Sequence, residues 1–504
     1  MALSAHNLAR LAEDSYERHG DYEALYFEGK WHSSGELADR ARRLGHGLAQ
    51  LGIRSGDRVV VMTSNCPEVG LTYNALWRVG AVITPAIFLL QEDDLRHILS
   101  SAEATAVVTS PEFLPTVQAA ARSADSVRWI VSTGDDADGV ISLASLEGPE
   151  AGEIVPREDS ELAALMFTGG TTGTAKGVMI SHDNLWYAGK AGHEGSYVPG
   201  ITRTIVPLPL SHSYGLLVTA VGMHAVEPGV AVLQRWFDPA NFLELIQEHK
   251  VQNAAVVPSM LQMLLGLPLE DYDLSSLRHV VSGASPLAED VVHAFEKRVP
   301  GVEIREGYGL TETTALVSTN PPGHRRLGSV GRPVPGCEVR TVDDEGNDVP
   351  QGEAGEIIVR SPLVMPAYWE SPEATADAIR QGWFYTGDIG RLDDEGYLYI
   401  LDRKKDLIIR GGFNVYPRDI EDVLLEHPAV AVAGVVGKPD EVRGEEVAAF
   451  VQLNPGHEVT PDELIEFAKE RLGKYKYPRE VRIVDAVPLT PVFKVDRKQL
   501  RTML

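Results

Sequence analysis

Cysteine is almost absent from this chain, with Cys66 and Cys337 the only two in 504 residues. A disulfide framework and Cys-based zinc spacing are therefore both excluded. Each cysteine is expected to be a small buried apolar side chain, Cys66 at a helix start and Cys337 in a strand. Basic charge is also short: 46 Lys and Arg stand against 72 Asp and Glu, a net charge of -26. Such acidity argues against nucleic acid as a partner but leaves room for a nucleotide in a local basic pocket. No window holds the ~18 unbroken apolar residues of a membrane span. Residues 1–10 lack a basic stretch followed by an apolar core, so no secretory signal is expected and a cytoplasmic enzyme is. Repeats and low-complexity tracts are missing too.

What is present is an ordinary globular composition, 44% hydrophobic and 23% charged, at a length that calls for more than one domain. Strand-like and helix-like runs alternate over residues 58–109 and again over 203–282, which predicts two α/β regions with largely parallel sheets. After residue 323 short β-like runs divided by Asp and Gly predict a small antiparallel barrel or distorted sheet. From about residue 402 the texture is α+β, with an amphipathic helix near 418–427, and long enough to fold alone.

Between the two α/β regions, an apolar run at 162–167 leads into a segment of Gly, Thr and Ala with one lysine: Thr168, Gly169, Gly170, Thr171, Thr172, Gly173, Thr174, Ala175, Lys176 and Gly177. Glycines allow inward-facing N–H groups, hydroxyls add donors, and Lys176 adds a cation, a combination suited to polyphosphate. The Gly-Lys-Ser/Thr ending of a Walker A loop is missing. Farther on, Gly307-Tyr308-Gly309 is either a simple turn or an aromatic face on which a flat base can stack. Thr311 and Glu312 follow, with Glu312 either a hard oxygen ligand for Mg²⁺ or a helix-start glutamate. Asp388, after Thr386-Gly387, is suited to a ribose diol or is simply a turn aspartate. Charged residues 402–406, the Gly411-Gly412-Phe413 run and Thr490 to Lys494 complete an ordered series.

In that order and spacing the series resembles the adenylate-forming superfamily, which includes acyl-CoA synthetases, peptide-synthetase adenylation domains and firefly-type luciferases. The resemblance runs from about residue 20 to the end of the chain. It implies an α/β fold: a large N-terminal domain of two α/β subdomains plus a β-barrel, and a small mobile α+β C-terminal domain. The corresponding boundaries are 1–401, a hinge at 402–405, and 406–504. It implies ATP, Mg²⁺ and coenzyme A, or a carrier-protein phosphopantetheine, as cofactors, and a carboxylic acid as substrate. A homodimer is compatible with it.

The resemblance assigns residues 168–176 to the β- and γ-phosphates, with Gly169 where Ser is common and Ala175 where Pro is common. It assigns Tyr308 to adenine, Thr311 to the α-phosphate, Glu312 to Mg²⁺, and Asp388 with Arg403 to the ribose. Ile400 and Lys405 fall among the nucleotide-side positions, Lys405 at the hinge. Lys494 matches the catalytic lysine, although Phe493 precedes it where Gly is usual; Phe is expected to restrict that loop and tune adenylation. Gly411, Gly412 and Phe413 would line the thiol channel. His212 would shape the acid pocket, with Ser282, Gly283 and Ala284 as another wall. Without an Asp for an α-ammonium, and with apolar residues 216–218 following, an uncharged aliphatic acid is the expected substrate. The hinge-following motif carries no insertion, which favours coenzyme A over a carrier protein as acceptor.

Overall fold

The computed structural model describes residues 4–168, 175–440, 442–490 and 495–504. Valine-rich runs such as Arg58–Met62 and Ala106–Thr109 are buried on both faces, as central parallel strands must be. They belong to a seven-stranded sheet that also holds Val82–Pro85, Leu162–Thr168 and Lys176–Ser181. All its pairings are parallel except the last, in which Leu162–Thr168 and Lys176–Ser181 run antiparallel with Thr168 opposite Lys176. The Gly/Thr segment therefore joins two strands of one sheet edge. The helix His182–Ser196 follows, capped reciprocally by Ser181 and Asn184, with the strand Lys176–Ser181 between it and the Gly/Thr segment.

A nine-stranded sheet forms the second layer system. Its centre is parallel: Glu303–Tyr308, His279–Ser282, Asn253–Val256, Arg203–Val206 and Val230–Leu233 lie side by side. The hairpin Glu23–Phe27 and Lys30–Ser33 extends this sheet although it precedes every strand of the other, a crossing that residue pattern alone does not reveal. Next comes a five-stranded antiparallel sheet in which Trp383–Leu392 pairs with Gly355–Arg360, Ile379–Arg380 and Leu398–Arg403. Backbone at Val330 and Gly331 hydrogen-bonds Leu398 and curls the unit back toward the nine-stranded sheet. Cys337 sits just before the strand Glu338–Val342 rather than in one, and burial pushes both thiols up to about 12, so they are inert.

After Leu398–Arg403 a short turn, Lys404–Asp406, leads to a separate five-stranded sheet built on the hairpin Val430–Asp440 and Gly444–Leu453. Two adjoining clusters form its own core, one holding Ile420, Leu424, Val435 and Ala449, the other Val436 and Phe450. Among the described residues no helix is long and apolar enough to cross a membrane.

Candidate active site

The C-terminal ends of the central nine-sheet strands, the edge hairpin of the seven-stranded sheet, and the turn at 402–406 converge on one connected cavity of about 2000 Å³. Ligands of open α/β sheets bind at such strand ends. The strand Glu303–Tyr308 delivers Gly307, Tyr308 and, one residue beyond, Gly309 to the cavity wall. Gly309 has no room for a side chain, since a Cβ there would lie 2.3 Å from the Ala315 backbone. The tight turn so formed carries the short helix Thr311–Thr313.

Tyr308 donates its hydroxyl to Asp388 Oδ2 at 2.5 Å, and Arg403 Nε lies 2.6 Å from Asp388 Oδ1. Asp388 is buried, and Thr386 Oγ1 accepts from its backbone N–H. Burial, with the facing carboxylate, holds the Tyr308 phenol protonated far above its ordinary range. Three residues spread over about a hundred positions thus form one unit, with Ile400 and Lys405 lining the cavity beside it.

On the other side, Lys176 places its ammonium 5.2 Å from the centre of the Tyr368 ring, and Tyr368 donates to Glu312 Oε1 at 2.8 Å. The backbone of residues 367–369 is zipped onto the strand Lys176–Ser181 by hydrogen bonds from Met179 to Ala367 and from Trp369 to Gly177. Tyr368 therefore links the loop strand to Glu312. Its only sequence signal is an aromatic pair after Pro366, which resembles any buried turn. Thr311 Oγ1 donates to Ser213 Oγ at 3.3 Å, tying this turn to the start of the helix Ser213–Met223.

His212 caps that helix: its Nδ1 accepts from the Tyr214 N–H at 3.2 Å, which puts the proton of the neutral ring on Nε2. His212 also lines the cavity, as do Ser282, Gly283 and Ala284. Ala284 holds a φ of +69°, a left-handed conformation uncommon for a residue with a Cβ. Of the expected apolar wall, Leu217 and Val218 face the cavity, whereas Leu216 turns into the core. The facing sheet surface is not apolar; Thr204, Asn253 and His279 lie along it.

The C-terminal unit reaches the same cavity. Asp402 is buried, accepting from the N–H of Arg403 at 2.8 Å and of Arg418 at 2.9 Å, so one carboxylate ties the turn to the first turn of the helix Pro417–Leu425. Leu489 and Val495 pair with each other, and both line the cavity with Thr490. Gly411, Gly412 and Phe413 do not line it. The two glycines, with φ of +57° and +83°, turn the hairpin Ile408–Arg410 and Phe413–Val415, and Phe413 is exposed against Tyr475. Gly169, Gly170, Thr171, Thr172, Gly173, Thr174, Phe493 and Lys494 lie outside the described residues.

Glu306 is a site residue that the sequence did not announce. It lines the cavity facing Arg418 and Asp422 of the C-terminal unit and Glu289 of its own. Burial pushes its carboxyl up to about 7, opposed in part by Arg418. A folded value above the ordinary 4.5 means that the native chain keeps a proton which the unfolded chain has lost between those two pH values. Stability attributable to Glu306 therefore falls as pH rises through that window and is level above it. Glu306→Gln removes this contribution. Urea unfolding at about pH 5 and about pH 7.5 should show the wild type losing roughly 2 kcal/mol relative to the variant.

The comparisons with known proteins agree with this geometry. Residues 12–369 match the model of the AMP-binding enzyme family, and residues 419–494 match the AMP-binding enzyme C-terminal domain. The chain belongs to the AMP-binding enzyme family. It is 34% identical to a long-chain-fatty-acid–CoA ligase of Bacillus subtilis (strain 168), over 99% of this chain and 95% of that one. It is also 34% identical to a feruloyl-CoA synthase of an Amycolatopsis species, over 92% of each. The amide bond synthetase McbA from Marinactinospora thermotolerans superposes with a TM-score of 0.90 at 32% identity, covering 99% of both chains. As an AMP-binding enzyme with these relatives it has the acyl-CoA synthetase fold. The acids named for the relatives differ, so membership leaves the substrate open.

Proposed function

We propose that this ligase activates an elongated, uncharged carboxylic acid as its acyl-adenylate and passes the acyl group to the thiol of coenzyme A. In the first step a carboxylate oxygen attacks the α-phosphorus of ATP and the bond to the β-phosphate oxygen breaks, releasing pyrophosphate. In the second the thiolate attacks the acyl carbon and AMP leaves. What carries the reading is one cavity in which Lys176, Glu312, Tyr308, Asp388 and Arg403 meet Leu489, Thr490 and Val495 of the C-terminal unit.

Residues 168–176 hold the β- and γ-phosphates, Tyr308 offers its face to adenine, and Asp388 with Arg403 takes the ribose hydroxyls. Asp388, held beside Tyr308 and Arg403, is a multi-site acceptor of the kind a diol calls for. Thr311 steadies the α-phosphate, and Lys494 neutralises charge as it builds on the in-line oxygens. Glu312, a cavity carboxylate held at one oxygen by Tyr368, is suited to Mg²⁺, which when bound supplies further charge neutralisation on the phosphates. His212 with residues 282–284 borders the acid. The C-terminal unit then turns about Lys405, withdrawing the Lys494 loop and bringing Gly411, Gly412 and Phe413 to the thiol path. The exposed position of that hairpin here fits the adenylating arrangement.

Acid-dependent exchange of pyrophosphate into ATP, over a panel of carboxylic acids, tests the first step. Product analysis with coenzyme A, a phosphopantetheinylated carrier protein and a simple amine then assigns the acceptor. Exchange with at least one acid and thioester formation on coenzyme A are expected. No acid-dependent exchange would remove the reading; amide or carrier thioester as the sole product would correct its second half.

A further inference from the structure

The Gly/Thr segment leaves its sheet at Thr168 and returns at Lys176, and both of its ends meet the helix Glu92–Ser101. That helix buries Leu95, Ile98 and Leu99 in a core shared with the seven-stranded sheet, so packing fixes its position. One turn apart on it stand His97 and Ser101, both lining the cavity. His97 Nε2 lies 3.0 Å from the carbonyl oxygen of Ala175, and Ser101 Oγ lies 3.3 Å from His97 Nδ1. A carbonyl can only accept, so Nε2 carries the proton, and in the neutral ring Nδ1 accepts from the serine hydroxyl. The ring also packs edge-on against Phe167, centres 6.2 Å apart and planes at 85°, beside the residue at which the segment begins. His97 thus touches both stalks of the segment.

Neighbouring contacts close a ring around Lys176. Trp369 donates its indole Nε1–H to the Ser101 carbonyl at 3.0 Å and its backbone N–H to the Gly177 carbonyl at 2.7 Å. The carbonyls on either side of Lys176 are therefore both pinned, that of Ala175 through His97 and that of Gly177 through Trp369, and the two pins meet at Ser101. Gly177 fits because it lacks a side chain: a Cβ there would come 3.0 Å from Leu165 Cδ1 and 3.1 Å from Trp369 Cβ. The Arg58 guanidinium covers the Trp369 ring, 5.5 Å from its centre. Lys176, enclosed between the pins, holds its ammonium over Tyr368. Both ring nitrogens of His97 are engaged, so its side chain has no donor or acceptor left for a phosphate. Asp93 and Asp94 of the same helix line the cavity with negative charge, which repels phosphate. What the helix contributes is position.

We propose that His97 is a positioning residue for the first reaction step: through the Ala175 carbonyl it holds Lys176 where the ammonium meets the polyphosphate of ATP. This rests on the ligase reading for what becomes of the polyphosphate, but the hold on Lys176 shows in nucleotide binding alone. A misplacement of about 1 Å costs on the order of a hundred-fold in a step that depends on orientation. With one of two pins removed the shift is smaller, and an effect of about tenfold is expected.

Variants of the full-length enzyme test this. His97→Leu removes the donor, His97→Gln puts an amide N–H near the same point without an imidazole, and Trp369→Phe removes the second pin. His97→Leu should raise the KM for ATP in acid-dependent pyrophosphate exchange about tenfold and leave the KM for the acid within about twofold. His97→Gln should return the KM for ATP to within about threefold of wild type. Trp369→Phe should shift it in the same direction as His97→Leu, which keeps the test decisive if the leucine variant folds poorly. When purified acyl-adenylate is supplied with coenzyme A no triphosphate is handled, so each variant should form thioester within about twofold of wild type. A merely structural role would depress both steps alike and raise the KM for the acid as well. That pattern would overturn the proposal, as would an unchanged KM for ATP in both His97→Leu and Trp369→Phe, or a loss with His97→Gln as large as with His97→Leu. Calorimetric titration with ATP and Mg²⁺ separates the two levels. Weaker ATP binding by His97→Leu, restored in His97→Gln, in an enzyme that shows no exchange with any acid would remove the ligase reading and keep the assignment of His97. Equal ATP binding by wild type and His97→Leu, or none by the wild type, would remove the assignment.

Discussion

Replacing Lys494 with alanine is expected to lower acid-dependent pyrophosphate exchange roughly a hundred- to a thousand-fold. In the adenylating transition state the charge of the carboxylate and of the departing pyrophosphate is spread over in-line oxygens in a site shielded from water. A single donor aimed at developing charge there contributes about 3–4 kcal/mol. Lys176 is held elsewhere, at the strand edge over Tyr368, which in turn hydrogen-bonds Glu312. Leu489 and Val495, which flank Lys494 in sequence, pair with each other at the cavity wall. When purified acyl-adenylate is supplied with coenzyme A, the loss should be much smaller, since the lysine acts before the C-terminal unit turns. Exchange within about threefold of wild type, with the variant folded, would take Lys494 out of the first step.

Asp388→Ala should be nearly as severe, with exchange down about a hundred-fold or more and the KM for ATP raised. Each hydrogen bond to a charged acceptor contributes about 1.5–3 kcal/mol, and a ribose makes two of them. The substitution also strips Tyr308 and Arg403 of the partner that fixes them at 2.5 Å and 2.6 Å. The adenine face would then lose its orientation as well as the ribose its anchor. Asp388→Asn keeps the shape and one acceptor oxygen, so it should recover part of the ATP affinity but little of the Arg403 contact. Steady-state kinetics at varied ATP separate these effects. An alanine variant whose KM for ATP is unchanged would place the ribose elsewhere.

Sequence legibility was uneven for physical reasons. The parallel strands 58–62 and 106–109 announce themselves because burial on both faces requires near-continuous apolar residues, here mostly Val. The Gly/Thr segment and the Gly307–Glu312 turn stand out by composition, and at Gly309 the cause is steric, since a Cβ there would lie 2.3 Å from the Ala315 backbone. The strand Lys176–Ser181 was hidden by its neighbouring loop, and the hairpin at 23–33 by its distance in sequence from the sheet it joins. Tyr368 and Glu306 left no mark, since each acts through a contact made only in three dimensions. An aliphatic pocket was inferred from residues 216–218 of the helical wall; the polar floor facing it comes from alternate residues of four strands that no linear window joins.

That alternation also bears on descent. On these strands odd and even neighbours answer to different demands: Ala254, Val280 and Ile304 hold the core, while Asn253, His279 and Arg305 line the cavity. A mutation at one parity alters diet, and at the other it threatens folding. A lineage can therefore change its acid by single steps without endangering the scaffold. Relatives as alike as 34% to this chain can accordingly bear the names of a fatty-acid ligase and a feruloyl synthase.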